Sequence, residues 1–240
     1  MTDLLYQTDS YLQSFEATIT GVDEENHAVL LDRTAFYPGG GGQPADSGTL
    51  TLEEHLILTV RARKAGPGVV HILPADVPLP AVGMQVQGQL DWERRYSLMR
   101  THTALHILCG VIFRDYGASV TGGDMDPLQG RMDFEFETMQ KELVKAIEVA
   151  VNKEVTAERD VRTAILPREE AFRIPDLIRT KINLLPEGIS QVRTVEIVGL
   201  DLQADGGTHV HNTREVGPIR VVDYKSKGKI NKRIYIEMGQ

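Results

Sequence analysis

The chain has 240 residues, 41% hydrophobic and 25% charged, with a formal net charge of −8. That length supports one large domain or two modest ones, and the composition is ordinary for a soluble globular protein. Taken alone, the acidic balance argues mildly against nucleic-acid binding, and no apolar run approaches the roughly 20 residues that a membrane helix needs. One cysteine, Cys109, excludes an internal disulfide and fits a reducing cytoplasm. The first residues carry no basic region followed by an apolar core, so no signal peptide is expected.

Taken in chain order, the first ninety or so residues read as β structure. Strand-like runs occur at Thr18–Val22, Ala28–Leu31, Leu56–Arg61, Gly68–Leu73 and Met84–Leu90. The last alternates polar and apolar residues, as a half-buried strand should. Short strands divided by Gly and Pro clusters predict a small barrel or sandwich. Phe36–Gly48 is rich in glycine but lacks the Gly-Lys-Ser/Thr of a nucleotide-binding loop, so by itself it reads as a tight barrel turn.

The pattern changes near Asp91. Tyr96, Met99, Leu105, Leu108 and Ile112 fall at helical spacing within Trp92–Phe113, and a second amphipathic helix is predicted over Met139–Val155. Arg131–Phe136 reads as a strand between them. Pro167–Thr180 reads as a helical segment broken at Pro175. Val192–Val198 is a strand, and Ile219–Tyr224 and Lys232–Glu237 are paired strands joined through a Lys/Gly turn. Helices and strands mix without βαβ regularity, so this part reads as α+β. The boundary falls near residues 88–93, with no flexible linker, and the two parts are expected to pack together.

A split set of metal-ligand residues stands out. His102 and His106 are four apart on the first helix and share a face, where Cβ atoms lie about 5–6 Å apart. Asp205-Gly-Gly-Thr-His209 repeats that spacing a hundred residues later, and its glycines allow a tight turn. Three nitrogens and one oxygen suit a tetrahedral zinc site. A lone pair of histidines at this spacing is weak evidence; two pairs are stronger. His211 competes with His209 for the same role. Cys109 shares the helical face, but three ligands up one helix span too much length for one ion, so it reads as a small buried residue. His27, His55 and His71 form no pattern. Thr103 occupies the place of the glutamate in a HExxH peptidase, which argues against a peptidase. From Arg220 to Arg233 six basic residues face a single Asp223; the stripe either grips phosphates or is a solvated face.

Three blocks then carry a resemblance: Phe36–Gly48, Asp91–Leu108, and Gly206-Gly-Thr-His-Val210 through Val216-Gly217. Together they resemble the free-standing alanyl-tRNA editing proteins, the AlaX family, and the editing domain of alanyl-tRNA synthetase. The stretch Lys225–Ile234 looks like the family's closing hairpin. The likeness covers nearly the whole chain, whose length resembles that of the medium-length members. It implies an α+β protein: a small β-barrel over residues 1–90, packed on an α+β editing domain over residues 91–240 like the second additional domain of synthetases. It implies one zinc ion per chain, held by an HxxxH and a CxxxH pair. Asp205 stands where that pattern has cysteine; a carboxylate oxygen is an acceptable zinc ligand, though harder than a thiolate and open to other divalent ions. The metal ligands are then His102, His106, Asp205 and His209.

The implied activity is ATP-independent hydrolysis of the aminoacyl ester on tRNA(Ala) mischarged with serine or glycine, in the cytoplasm and with no membrane partner. Zinc would either activate water or anchor substrate. Gln43 looks like the residue that reaches the editing pocket. Thr121 has two readings, a pocket wall whose hydroxyl meets that of serine, or a turn residue before Gly122-Gly123. Arg94, Arg95 and Arg100, with Lys225, Lys227, Lys229, Lys232 and Arg233, are candidate tRNA contacts. The rival functions are a non-catalytic tRNA-binding relative with a degenerate metal site, and a metallohydrolase of small esters.

Overall fold

The computed structural model describes residues 2–52, 56–66, 68–180, 185 and 188–239. His55, read above as ordinary, lies outside the described residues. The chain divides into two compact units, Met1–Tyr96 and Ser97–Gln240.

The first unit contains β1 (Asp3–Leu4), β2 (Ser14–Asp23), β3 (Ala28–Leu31), β4 (Arg33–Thr34), β5 (Ser47–Thr51), β6 (Ile57–Ala65), β7 (Gly68–Ile72) and β8 (Gln85–Leu90). Six of these close a barrel in the order β2-β3-β7-β6-β5-β8, with every neighbouring pair antiparallel. The alternation read from residues 84–90 is the alternation observed: Val86, Gly88 and Leu90 point inward and the three glutamines outward. Phe15, Ile19, Leu31, Leu50, Leu58, Val60, Val86 and Leu90 fill the interior. Closure removes open sheet edges, which otherwise invite wrong pairing.

The glycine-rich segment is a loop whose backbone only glycine adopts easily. Gly39, Gly40, Gly41 and Gly42 have φ of 86°, 141°, 58° and 88°, a region that costs any residue with a Cβ. Gly40 and Gln43 exchange backbone hydrogen bonds across the tip, and the Tyr37 hydroxyl donates to the Gly40 carbonyl at 3.0 Å. At the base of the loop, Asp46 accepts from the Tyr37 amide at 2.6 Å and pairs with Arg95.

The second unit holds α1 (Trp92–Tyr116), whose first turn belongs to the first unit, then β9 (Val120–Asp126), β10 (Gln129–Glu135), α2 (Lys141–Thr156), β11 (Val161–Pro167), α3 (Arg168–Ala171), β12 (Gln191–Ile197), β13 (Asp201–Ala204), β14 (Ile219–Ser226) and β15 (Asn231–Met238). They form a four-stranded sheet ordered β14-β15-β10-β9 and a three-stranded sheet ordered β11-β12-β13, all antiparallel. The mixture of a barrel with an α+β unit is the fold class read from sequence. Residues 101–112 of α1 are buried on every side, so this is a central helix rather than a surface helix with one apolar stripe.

The helix expected over Pro167–Thr180 is corrected. Only Arg168–Ala171 is helical, and the chain turns at Pro175–Asp176, where Asp176 takes a left-handed φ of 54°. A proline ring obstructs the preceding turn of a helix, and a left-handed residue cannot continue it. Of the two readings of Thr121, the turn residue before Gly122-Gly123 is corrected: Thr121 lies within β9, which pairs with β10 through both glycines.

Candidate metal centre

α1 and the loop after β13 bring four side chains to one point. His102 and His106 project from the same face of α1, one turn apart. Asp205 and His209 come from the loop that leaves β13. One ligand atom from each of the four lies within 4.8 Å of the others. The Asp205 carboxylate sits among the imidazoles: Oδ1 is 3.5 Å from His102 Nε2 and 4.0 Å from His106 Nε2, and Oδ2 is 3.1 Å from His209 Nε2. All three rings therefore offer the same nitrogen. His102 and His209 stack with centroids 4.2 Å apart, and His106 stands edge-on to both at 5.0 and 4.6 Å. This is a set of donors that a single divalent ion can hold, by residue type and by convergence.

The loop is shaped by Asp205 itself. Its Oδ2 accepts from the Gly207 amide at 2.7 Å, a side-chain turn of the kind aspartate favours. Neither Gly206 nor Gly207 has a positive φ, so the turn depends on this hydrogen bond rather than on left-handed glycines. Arg193, buried on β12, donates from Nη1 to the Asp205 carbonyl at 3.1 Å and to the Gly207 carbonyl at 2.9 Å. The same nitrogen is 3.9 Å from the Asp205 carboxylate. The loop has no regular structure, and its residues are not committed to one face as strand residues would be: His209 turns inward and is buried, whereas His211 is exposed. His211 is not part of the cluster.

The charge states follow from burial and neighbours. Burial lowers the His102 pKa to about 4, against the pull of Asp205. Burial, followed by the nearby His102 ring, holds His209 well below the usual histidine range. Both rings are neutral at pH 7, the form that binds a metal. His106 goes the other way: burial lowers it, but the carboxylates of Asp201 and Asp205 outweigh that and raise it. Burial disfavours the Asp205 anion, yet the surrounding imidazoles keep its pKa well below the ordinary carboxylate value. The site thus presents an anion within a ring of imidazoles.

Several residues around the cluster were not singled out as contributors from sequence. Thr103 Oγ1 is 3.1 Å from His209 Nδ1 and accepts from the Val210 amide at 3.2 Å. Asp201, at the start of β13, lies 3.6 Å from His106 Nδ1. Arg193 braces the loop as described. Their signal in sequence is faint: Thr103 stands out only as the residue in the place of a HExxH glutamate. Cys109 is buried, as expected, and accepts a weak bond from Gln203 Nε2 at 3.4 Å. Burial and Asp201 push its thiol pKa far up, so it stays a protonated thiol beside the cluster.

The other candidate residues fall elsewhere. Gln43 is buried in the glycine-rich loop of the first unit. Thr121 is exposed on β9, and its hydroxyl donates to Asn231 Oδ1 at 3.0 Å. Neither belongs to the metal-ligand group.

Two candidate tRNA contacts are corrected. Arg95 is fully buried; it pairs with Asp46 and donates to the Ser10 and Ala35 carbonyls. It holds the first unit together and has no donor exposed for a phosphate. Lys232 is also buried, and its ammonium donates to the Gly228 and Lys229 carbonyls at 2.8 and 3.0 Å, closing the hairpin turn. Arg233 faces Asp133 across the β10–β15 register in a two-pronged pair at 2.6 and 2.7 Å. Arg94 donates to the Ala45 carbonyl, and Arg100 to the Val216 and Gly239 carbonyls. Lys225, Lys227 and Lys229 are exposed, with Lys225 3.0 Å from Asp223.

A closed barrel followed by an α+β unit with a three-histidine, one-carboxylate centre defines a chain of the tRNA-synthetase editing-domain class. Residues 192–235 match the family described as threonyl and alanyl tRNA synthetase second additional domain, and residues 8–94 match class II (A) tRNA synthetases. An alanyl-tRNA editing protein AlaX-M from Saccharolobus solfataricus is 40% identical over 98% of each chain. Its counterpart from Methanosarcina acetivorans is 38% identical over 99% of each. An alanine–tRNA ligase from Thermofilum pendens is 39% identical over 93% of this chain but only 24% of its own length. The chain belongs to the AlaX-M family of alanyl-tRNA editing proteins. Among the described residues, no helix is long and apolar enough to cross a membrane.

Proposed function

We propose that this protein is a cytoplasmic trans-editing hydrolase that deacylates tRNA(Ala) mischarged with serine, and with glycine as a second substrate, using one zinc ion and no ATP. The observation that carries this reading is the convergence of His102, His106, Asp205 and His209 in a chain that matches free-standing editing proteins along its whole length. Zinc held by these four residues would supply positive charge to polarise a carbonyl or to lower the pKa of a bound water to about 7.

The residues themselves have separable tasks in this scheme. His102 and His209 meet the ion as neutral rings. Asp205 supplies the anionic ligand, and Gly207 and Arg193 fix its loop. Gln43 orients the ester or the terminal ribose through its amide, and Thr121 contributes a hydroxyl that tells serine from alanine. Arg94, Arg100, Lys225, Lys227, Lys229 and Arg233 meet backbone phosphates. Editing answers a physical limit, because one small group in a binding pocket discriminates by only about 1–3 kcal/mol. A second, hydrolytic selection supplies the remainder.

The test is release of amino acid from Ser-, Gly- and Ala-tRNA(Ala) side by side, with and without chelator, together with metal analysis of the purified protein. Chelator-sensitive release of serine and glycine, with alanine spared, is the expected result. Bound zinc without any deacylation would point instead to a non-catalytic tRNA binder. Hydrolysis of small esters with tRNA esters untouched would point to the small-molecule hydrolase.

A further inference from the structure

We infer that Asp201 is a positioning residue for the metal centre: its carboxylate orients His106 so that Nε2, not Nδ1, faces the ion. This inference rests on the zinc reading above. Four observations support it. First, His106 Nδ1 is buried and, among the described residues, has no hydrogen-bond partner, which is costly for a polar atom unless the arrangement serves a purpose. Second, the Asp201 Oδ2 atom is 3.6 Å from it. That distance is too long for a hydrogen bond, but a shift of a few tenths of an ångström, as when a ring closes on an ion, would make one.

Third, Asp201 is held rigidly from its other sides. Gln203 Nε2 donates to its Oδ2 at 2.5 Å and Arg179 Nε to its Oδ1 at 3.2 Å. Arg179 is itself stacked on the Phe113 ring at 3.7 Å. The Asp201 side chain is wholly buried. A buried carboxylate needs this much compensation, and once compensated it is a fixed reference point. Fourth, α1 makes room for it. Gly110 lies one turn beyond His106, and a Cβ there would come within 2.9 Å of Leu200 Cγ and 3.0 Å of Asp201 Cβ. Glycine in mid-helix costs about 1 kcal/mol relative to alanine; here it lets β13 approach the helix beside the ligand.

The pairing of a carboxylate with the distal nitrogen of a ligand imidazole fixes the tautomer and the ring plane, and its loss typically weakens metal binding about 10–100-fold. Thr103 stands in the equivalent place behind His209, as a neutral oxygen. The two imidazoles are thus backed by different partners, an anion for His106 and a hydroxyl for His209.

The experiment compares the intact protein with Asp201→Ala and Asp201→Asn, reading zinc affinity by competition with a chromogenic chelator. Asp201→Ala is expected to bind zinc about 10–100-fold more weakly, with the asparagine variant in between, because its amide oxygen still accepts a hydrogen bond. In parallel, NMR of the zinc-loaded parent should show His106 protonated at Nδ1, with that proton shifted downfield and altered in Asp201→Asn. A merely structural role would leave this proton signal unmoved. A folded Asp201→Ala protein that binds zinc as tightly as the parent overturns the inference. Should the alanine variant not fold, an unchanged His106 Nδ1 proton in Asp201→Asn overturns it equally. A parent that binds no zinc overturns the metal reading and this inference with it, whereas zinc binding without deacylation overturns only the hydrolase.

Discussion

Thr103 Oγ1 lies 3.1 Å from Nδ1 of His209, a residue 106 positions away in sequence. The side chain next to His102 on α1 therefore backs the ring of His209 from the far loop. Thr103→Val keeps the shape and removes the oxygen. It should cost about 1–3 kcal/mol of stability, because the buried Val210 amide and His209 Nδ1 lose a partner. It should also weaken zinc binding about 10–100-fold. Urea unfolding of the metal-free protein and chelator competition on the loaded protein measure the two effects separately.

Asp205 is the proposed ligand whose chemistry can be exchanged most directly. Asp205→Cys should preserve or tighten zinc binding, since a thiolate is the softer donor. Asp205→Ala should loosen it, having lost both the ligand and the hydrogen bond that the Gly207 amide donates to it. Equal zinc affinity in parent, Cys and Ala proteins would remove Asp205 from the metal's ligands.

His71 gives the first unit a pH dependence of its own. It is wholly buried in the barrel, with Nε2 2.9 Å from Thr34 Oγ1, and burial lowers its pKa from 6.5 to about 4. The unfolded chain therefore binds a proton here that the folded chain refuses. Its contribution to stability is complete above pH 6.5 and is lost as pH falls toward 4, up to about 3 kcal/mol at roughly 1.4 kcal/mol per unit. His71→Gln should flatten the slope of unfolding free energy between pH 6.5 and 4 by about one proton. An unchanged slope would place the acid sensitivity elsewhere.

The basic hairpin and Arg95 should separate cleanly in experiment. Replacing Lys225, Lys227 and Lys229 by glutamine should weaken tRNA binding and lower the slope of log affinity against log salt, with little effect on stability. Arg95→Met leaves Asp46 as a buried charge without its guanidinium partner. It should destabilise the protein by about 3–5 kcal/mol and leave the salt slope of the surviving folded protein unaltered. A changed slope would return Arg95 to the tRNA-contacting set.

The regions legible in the sequence are those where spacing alone dictates geometry. The i,i+4 relation of His102 and His106 needs only a helix, and β8 needs only its alternation. β9 was hidden because Val120-Thr-Gly-Gly carries the marks of a turn, and its strand character comes from pairing with β10 rather than from its own residues. The segment after Pro167 carried helical spacing, but Pro175 and the left-handed Asp176 stop it. The stripe from Arg220 to Arg233 looked like free charge, since the register that sets Asp133 opposite Arg233 joins strands about a hundred residues apart.

The amino-acid order by itself determined which side chains could serve as ligands, the mixture of short strands with a central helix, and the family those blocks resemble. Only the tertiary structure decided how the cluster is held: Thr103 behind His209, Asp201 behind His106, Arg193 beneath the Asp205 loop, and Arg95 and Lys232 withdrawn from solvent. The physical reason is range. Helical and strand periodicity are local and repeat along the chain, whereas a buried polar atom finds its partner wherever folding delivers one, without leaving any spacing in the sequence to mark it.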